Sequence, residues 1–272
     1  MKREDFSWTK FSHENVTMIS RIEAIRKIID QEVGLEPCLP GIAEIEQRYD
    51  ALYHDYIDGK LKHRELYDLA SDLDMDIDKL YSKMRHEWIL ANESTFVALR
   101  KRAQNLTSFD EVQETFEKFA TDEAMLNLRV DLSEEQIDEE RQKIQEQLNA
   151  YRNMVFSYIL TTDEWNDDFV KNILDIIASD LVDPYTINMI VSAVSLSCSV
   201  FMDAPRLAVL MRLIKSDDST CSVRQRALVG FVFCAITNSG EKQKYWDSAA
   251  GLIMDDEFLA ACVRSEEHTS EL

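Results

Sequence analysis

Four aspartates at alternate positions, Asp72, Asp74, Asp76 and Asp78, form the densest set of possible metal ligands in the chain. Carboxylates at every second residue open an EF-hand calcium loop, which also needs glycine at its sixth position for the turn and glutamate at its twelfth as a bidentate ligand. Counted from Asp72, those positions hold Ile77 and Lys83, so no calcium site is expected and the aspartates read as helix caps. His13, His54, His63 and His86 stand far apart on separate predicted helices, and His86-Glu87 is not followed by the second histidine of a zinc-protease motif. Each is expected at the surface. The six glycines, at 34, 41, 59, 230, 240 and 251, make no phosphate-cradling loop and no nucleophile elbow. Carboxylate pairs such as Asp167 with Asp168 are expected by chance among 51 acids. The five cysteines (38, 198, 221, 234 and 262) contain no CxxC pair and fall mostly in apolar helical runs, where a thiol acts as a small hydrophobe. No catalytic residue, cofactor site or metal site is assigned, and the chain is not expected to be an enzyme.

Nucleic-acid chemistry has one local candidate. From Lys62 to Trp88 the order Leu69, Ala70, Leu73, Met75, Leu80 resembles a helix-turn-helix unit, with a turn expected at Asp74 to Asp76 and a second helix carrying Leu80 and Met84. That resemblance implies a DNA-binding regulator using residues 62–90, with Lys79, Lys83 and Arg85 facing the phosphates. Asp74 stands where such turns carry glycine, and Asp76 and Asp78 bring the wrong charge to the groove. Lys60 to Arg102 is nearly balanced, nine bases against eight acids, whereas the whole chain carries a net charge of −21, which opposes broad binding to nucleic acid or anionic membrane.

The elements that would position any site are helices. Glycine and proline are scarce, with six and four in 272 residues, and 45% of the residues are hydrophobic, which predicts an all-α chain with a sizeable core. Val16, Ile19, Ile22, Ile25, Ile29 and Val33 recur at helical spacing, with Gly34, Pro37 and Pro40 ending that helix. A second helix runs over 42–57 with Ile45, Tyr49, Leu52, Tyr53 and Tyr56 inside, closed by Gly59. Ser108 with Glu111, Ser133 with Gln136 and Thr161 with Glu164 read as capping boxes. The second of these opens a long helix at about 134–160 that packs along the protein.

Beyond residue 162 the helices become more apolar, with starts marked by Asp183-Pro184 and by Asp203 with Pro205. They are expected at 164–180, 184–202, 205–216, 220–238 and 241–254, as antiparallel neighbours. A shift of 36 residues lays Ile187 on Val223, Leu196 on Val232, Cys198 on Cys234 and Val200 on Ile236, and a shift of 39 lays Leu213 on Leu252 and Ile214 on Ile253. A two-helix period of this size is that of an α-solenoid. Asp217 to Gly230 resembles a HEAT repeat, with Val223, Arg224, Ala227 and Leu228 as its Val-Arg pair, small residue and leucine. The resemblance implies antiparallel helix pairs stacked as an α-solenoid and a protein–protein interaction scaffold for a protein or peptide partner. On the apolar helix 184–202, the polar stripe Asn188, Ser192, Ser195 and Ser199 either lines a groove for that partner or lets a neighbouring helix approach closely while the serines bond their own backbone.

The domain reading is an N-terminal helical region, 1–162, followed by HEAT-like repeats, 163–263. Residues 264–272, RSEEHTSEL, match one reading frame of a common sequencing-library adapter, so they are set apart as non-native and the protein is expected to continue past Val263. The start MKREDFSWTKF leads into no apolar run, and the longest apolar stretch, Ile187 to Met202, falls short of the ~20 residues of a membrane helix. The cysteine usage fits a reducing cytoplasm.

Overall fold

The computed structural model describes residues 11, 14–163, 165–216 and 219–237. Among them are ten α-helices, one short 3-10 turn and no strand, so the fold is all-α. Contacts divide the described residues into two compact units that meet in sequence between Val97 and Ala98. The sequence placed its boundary near residue 162 because the polarity changes there. The long helix before that point belongs by its packing to the second unit.

The first unit is built on α1 (Met18–Gln31), α2 (Leu39–Ile57) and α3 (His63–Asn92). Thr17 caps α1, its hydroxyl accepting from the Ser20 amide, and Ile22, Ile25 and Ile29 form a buried stripe, the middle of the one that the spacing predicts; Ile19 is exposed, and Val16 and Val33 lie exposed outside the helix. Gly34 then adopts φ 89°, and a Cβ there would lie almost on that of Ala91 in α3, so the turn needs glycine for conformation and for clearance. Gly59, at φ 66°, ends α2.

The turn expected at Asp74 to Asp76 is not formed: α3 is one helix of 30 residues. Leu73, Ile77, Leu80 and Met84, all buried, continue a single stripe at steps of four, three and four straight through the supposed break. The aspartates are not caps but ion-pair partners, Asp74 of Arg21 on α1 and Asp76 of Arg48 on α2 and Lys79 on α3. A second correction concerns α2, where Ile42 and Ile45 are buried but Tyr53 and Tyr56 are each 53% exposed. Beyond Ile45 the buried face of α2 ends.

Helix α4 (Ser94–Ala103) crosses the division between the units. The second unit continues with α5 (Val112–Leu126), α6 (Glu134–Thr161), α7 (Asp167–Ala178), α8 (Pro184–Phe201), α9 (Ala204–Lys215) and α10 (Cys221–Thr237). The capping box at Ser133 and Gln136 is present with both bonds. Ser108 instead closes a local turn, its hydroxyl accepting from the Asp110 amide, and α5 starts four residues later. Thr161 ends α6, and the cap of α7 is Asn166, which accepts from Phe169. Asp183 and Asp203 cap α8 and α9, as the Asp-Pro signals predict. The helix expected at 241–254 and the tail 264–272 lie outside the described residues.

Each helix of this unit packs on its neighbour in sequence or on the one after that: α7 lies against α5 and α9, and α8 against α6 and α10. Asp110, just before α5, meets Asn172 of α7, and Glu117 of α5 meets Ser179 just beyond α7; both pairs are 62 residues apart. Between α8 and α10, Asn188 meets Ser222 and Ser192 meets Arg226 at separations of 34, and Cys198 meets Cys234 at 36. A near-constant separation means that each pair of helices runs parallel. The core they enclose joins Phe109, Phe116, Val155, Ile159, Ile173, Ile190, Val194, Leu210 and Ile214, among others.

Candidate interaction surface

The polar stripe on α8 is covered by α10. Ser222 donates to Asn188 Oδ1 (3.0 Å) and Arg226 to Ser192 Oγ (2.8 Å), while Ser195 faces Gly230. Ser192, Ser195 and Ser199 each turn their hydroxyl onto a carbonyl of the preceding turn, of Asn188, Val191 and Leu196, all at 2.8 Å. The stripe therefore serves as a helix-packing face, as the second of its two sequence readings has it, with Asn188 and Ser192 half-buried at its edge. Close approach follows from the residue types: small hydroxyls that need no outside acceptor face a glycine, so the two backbones can come together.

Two arginines that sequence reasoning did not single out hold the starts of α8 and α9. Arg152, on α6, donates Nε to Thr186 Oγ1 (2.7 Å), Nη1 to Asn149 Oδ1 (2.8 Å) and Nη2 to Asp183 Oδ2 (2.8 Å). The other carboxylate oxygen of Asp183 accepts from the Thr186 amide at 3.0 Å, so one side chain caps α8 and anchors it to α6. Burial alone would raise the Asp183 carboxyl, but the bonds from Thr186 and Arg152 outweigh it and hold it below the usual carboxylate range. Arg206, only 2% exposed, repeats the device on α9: it pairs with Asp203, donates Nε to Ser197 Oγ (2.9 Å) and Nη2 to the Thr162 carbonyl (2.7 Å), and lies 4.7 Å from the Trp165 ring. Burial pulls the guanidinium below its ordinary value, and Asp203 works against that pull. The signal for both was present in the sequence as Asp-Pro and Asp-Ala-Pro helix starts; their arginine partners, 31 and three residues away, had none.

Among the described residues, apolar surface is open on α10 and in the first unit. On α10, Val229, Val232 and Phe233 are 68%, 47% and 48% exposed at the spacing of one helix face. In the first unit, a groove of about 200 Å³ between α2 and α3 is lined by Leu52, Leu61, Leu69 and Leu73, with Arg48 and Asp55 at its edge. Tyr67, 75% exposed, lies on α3 in the turn before Leu69. Of the residues assigned to DNA, Lys79 and Lys83 are exposed and Arg85 is half-buried, while Leu80 and Met84 are core. Lys79 is paired with Asp76 on its own helix. With no turn in α3, the helix-turn-helix arrangement that would have carried these bases into a groove is absent.

His86 is buried, contrary to its surface assignment, in the last turns of α3 where residues 86–90 are all buried. His54 and His63 are exposed, and His13 lies outside the described residues. Among the described residues one helix, α8, is long and apolar enough to cross a membrane, and 61% of it is buried inside the protein. Comparisons with known protein families, curated proteins and solved structures gave no match to this chain.

Proposed function

We propose that this chain is a protein–protein interaction scaffold built on HEAT-like helical repeats, an α-solenoid without catalytic activity that works in the cytoplasm. The observation that supports it is the fixed separation of contacting residues between next-but-one helices, 62 residues for α5 with α7 and 34 to 36 for α8 with α10. Parallel next-but-one neighbours at constant offset are what arises when one antiparallel pair is stacked on another. Arg224 of the HEAT-like segment serves the same stacking, donating to the Ser216 carbonyl at the end of α9 (2.9 Å). The surface offered to a partner is the face of α10 bearing Val229, Val232 and Phe233. It suits the apolar side of a peptide helix, and the net charge of −21 favours one flanked by lysine or arginine.

The test is selection of peptides from a displayed library on the immobilised full chain, followed by affinity measurement on the selected peptides. Val232→Asp and Phe233→Asp are expected to weaken binding at least about tenfold, with thermal midpoints close to the parent's. Peptides that bind the variants as tightly as the parent would remove this surface. Salt-dependent binding of duplex DNA, weakened by Lys79→Glu and Lys83→Glu, would replace the reading with the nucleic-acid one.

A further inference from the structure

We propose that Cys198 and Cys234 are a disulfide-forming pair, an oxidation site that staples α8 to α10. Their sulfurs lie 3.1 Å apart on neighbouring helices, and Cys234 Sγ is also 3.4 Å from the Cys198 carbonyl oxygen. A covalent S–S bond is about 2.05 Å long, so roughly 1 Å of combined movement closes it. The approach is built into the helices: Gly230, one turn before Cys234, faces Ser195, just under one turn before Cys198, and its missing Cβ is what lets the helices come this close. Among the described residues the other thiols offer no such alignment. Cys38 is in the first unit, Cys221 is half-buried at the start of α10, and Cys262 lies outside the described residues.

Both thiols are completely buried, so an oxidant reaches them only when α10 opens from α8. Hydrogen bonding to Cys234 and burial push the Cys198 thiol well above its ordinary value, which keeps that thiol protonated and unreactive while the helices are closed. The co-reactant is a low-molecular-weight disulfide such as oxidised glutathione. On opening, one cysteine loses its proton and attacks a glutathione sulfur, forming a mixed disulfide and releasing one glutathione thiolate. On reclosing, the second cysteine loses its proton and attacks the protein sulfur of that mixed disulfide, releasing the second glutathione. The two protons end on the two released thiols; the protein pair is oxidised by two electrons and glutathione disulfide is reduced by two.

The experiment treats the whole 272-residue chain with oxidised glutathione, with and without urea below the unfolding transition, then maps peptides under non-reducing conditions. The expected result is one dominant cross-linked species joining the Cys198 and Cys234 peptides, two hydrogens lighter than their sum, formed faster in urea and reversed by dithiothreitol. With a 36-residue separation between the cysteines, the oxidised chain should melt roughly 10 °C higher than the reduced one. Cys198→Ser and Cys234→Ser should each remove both the species and the shift. Both peptides remaining alkylatable after oxidation in urea would overturn the proposal. So would a dominant link through Cys221 or Cys262, or an oxidised chain that melts below the reduced one. The map on the unaltered chain decides the matter even where a serine variant fails to fold, and neither result bears on partner binding.

Discussion

Alanine at position 230 should weaken the second unit, although glycine-to-alanine changes inside helices usually strengthen them. Gly230 lies well inside α10, and glycine is about 1 kcal/mol below alanine in helix propensity, so an open site would gain about that much. The site is not open. A Cβ on residue 230 would stand 2.5 Å from Ser195 Cβ and closer still to its hydroxyl. Turning the hydroxyl aside relieves only the second contact, because a Cβ is fixed to its backbone. To restore an ordinary 3.4 Å contact the helices must part by about 1 Å, which strains the Arg226–Ser192 and Cys198–Cys234 contacts on either side. Overpacking of this kind costs about 1–3 kcal/mol, which leaves Gly230→Ala less stable by up to about 2 kcal/mol after the propensity gain. In a Ser195→Gly background both clashes vanish and the same change should stabilise by about 1 kcal/mol, giving a coupling of about 1–3 kcal/mol in the double-mutant cycle. Ser195→Ala should rescue only in part. Urea unfolding of the single and double variants, with unchanged dependence on denaturant, measures all of these. A stabilised Gly230→Ala, or the same effect in both backgrounds, would refute the reasoning.

Removing Arg206 strips the buried start of α9 of its cation and leaves Asp203, Ser197 and the Thr162 carbonyl without their donor, so Arg206→Ala should cost about 3–5 kcal/mol by urea unfolding. Arg206→Lys keeps the charge but not the planar fork that reaches three acceptors, and should recover less than half of the loss. Asp183 carries a pH signature. Its folded value is depressed, so its contribution is fully present above the unfolded value of about 4 and is lost as pH falls through the folded value. Asp183→Asn should therefore be less stable than the parent at pH 7 and lose less on acidification, and urea midpoints from pH 7 to pH 2 should converge. Parallel curves would contradict the Arg152–Asp183 anchor.

The apolar spacing of α1, the capping box at Ser133 and the Asp-Pro starts of α8 and α9 were all legible because each is a local signal whose partner lies within one turn. Errors arose where local and distant partners competed for the same residue. Asp74 and Asp76 look like caps until Arg21 and Arg48, 53 and 28 residues earlier, take their carboxylates as ion-pair partners. Tyr53 and Tyr56 keep helical spacing with Ile42 and Ile45, yet spacing alone cannot say where a neighbouring helix stops. The serines of α8 show the reverse case. Their two meanings were distinguishable only once the residue opposite Ser195 was known to be glycine. Arg152 and Arg206 were invisible because nothing in an isolated arginine marks it as buried.

The contact order of the second unit also fixes how it must come apart. Among the described residues, helix α8 is held by α6, α7, α9 and α10, whereas the principal contacts of α10 are with α8 and α9. Loss of α10 leaves the packing of α6 on α8 untouched, but α8 cannot leave without releasing all four neighbours. Amide protons of the described helices should therefore exchange in a graded order, those of α10 before those of α8, through partial openings that never visit the unfolded chain. In the other direction, folding of the described helices of this unit needs no closure between its distant ends. Its longest steps join residues a few tens of positions apart, so any one helix pair can serve as the seed on which the next condenses.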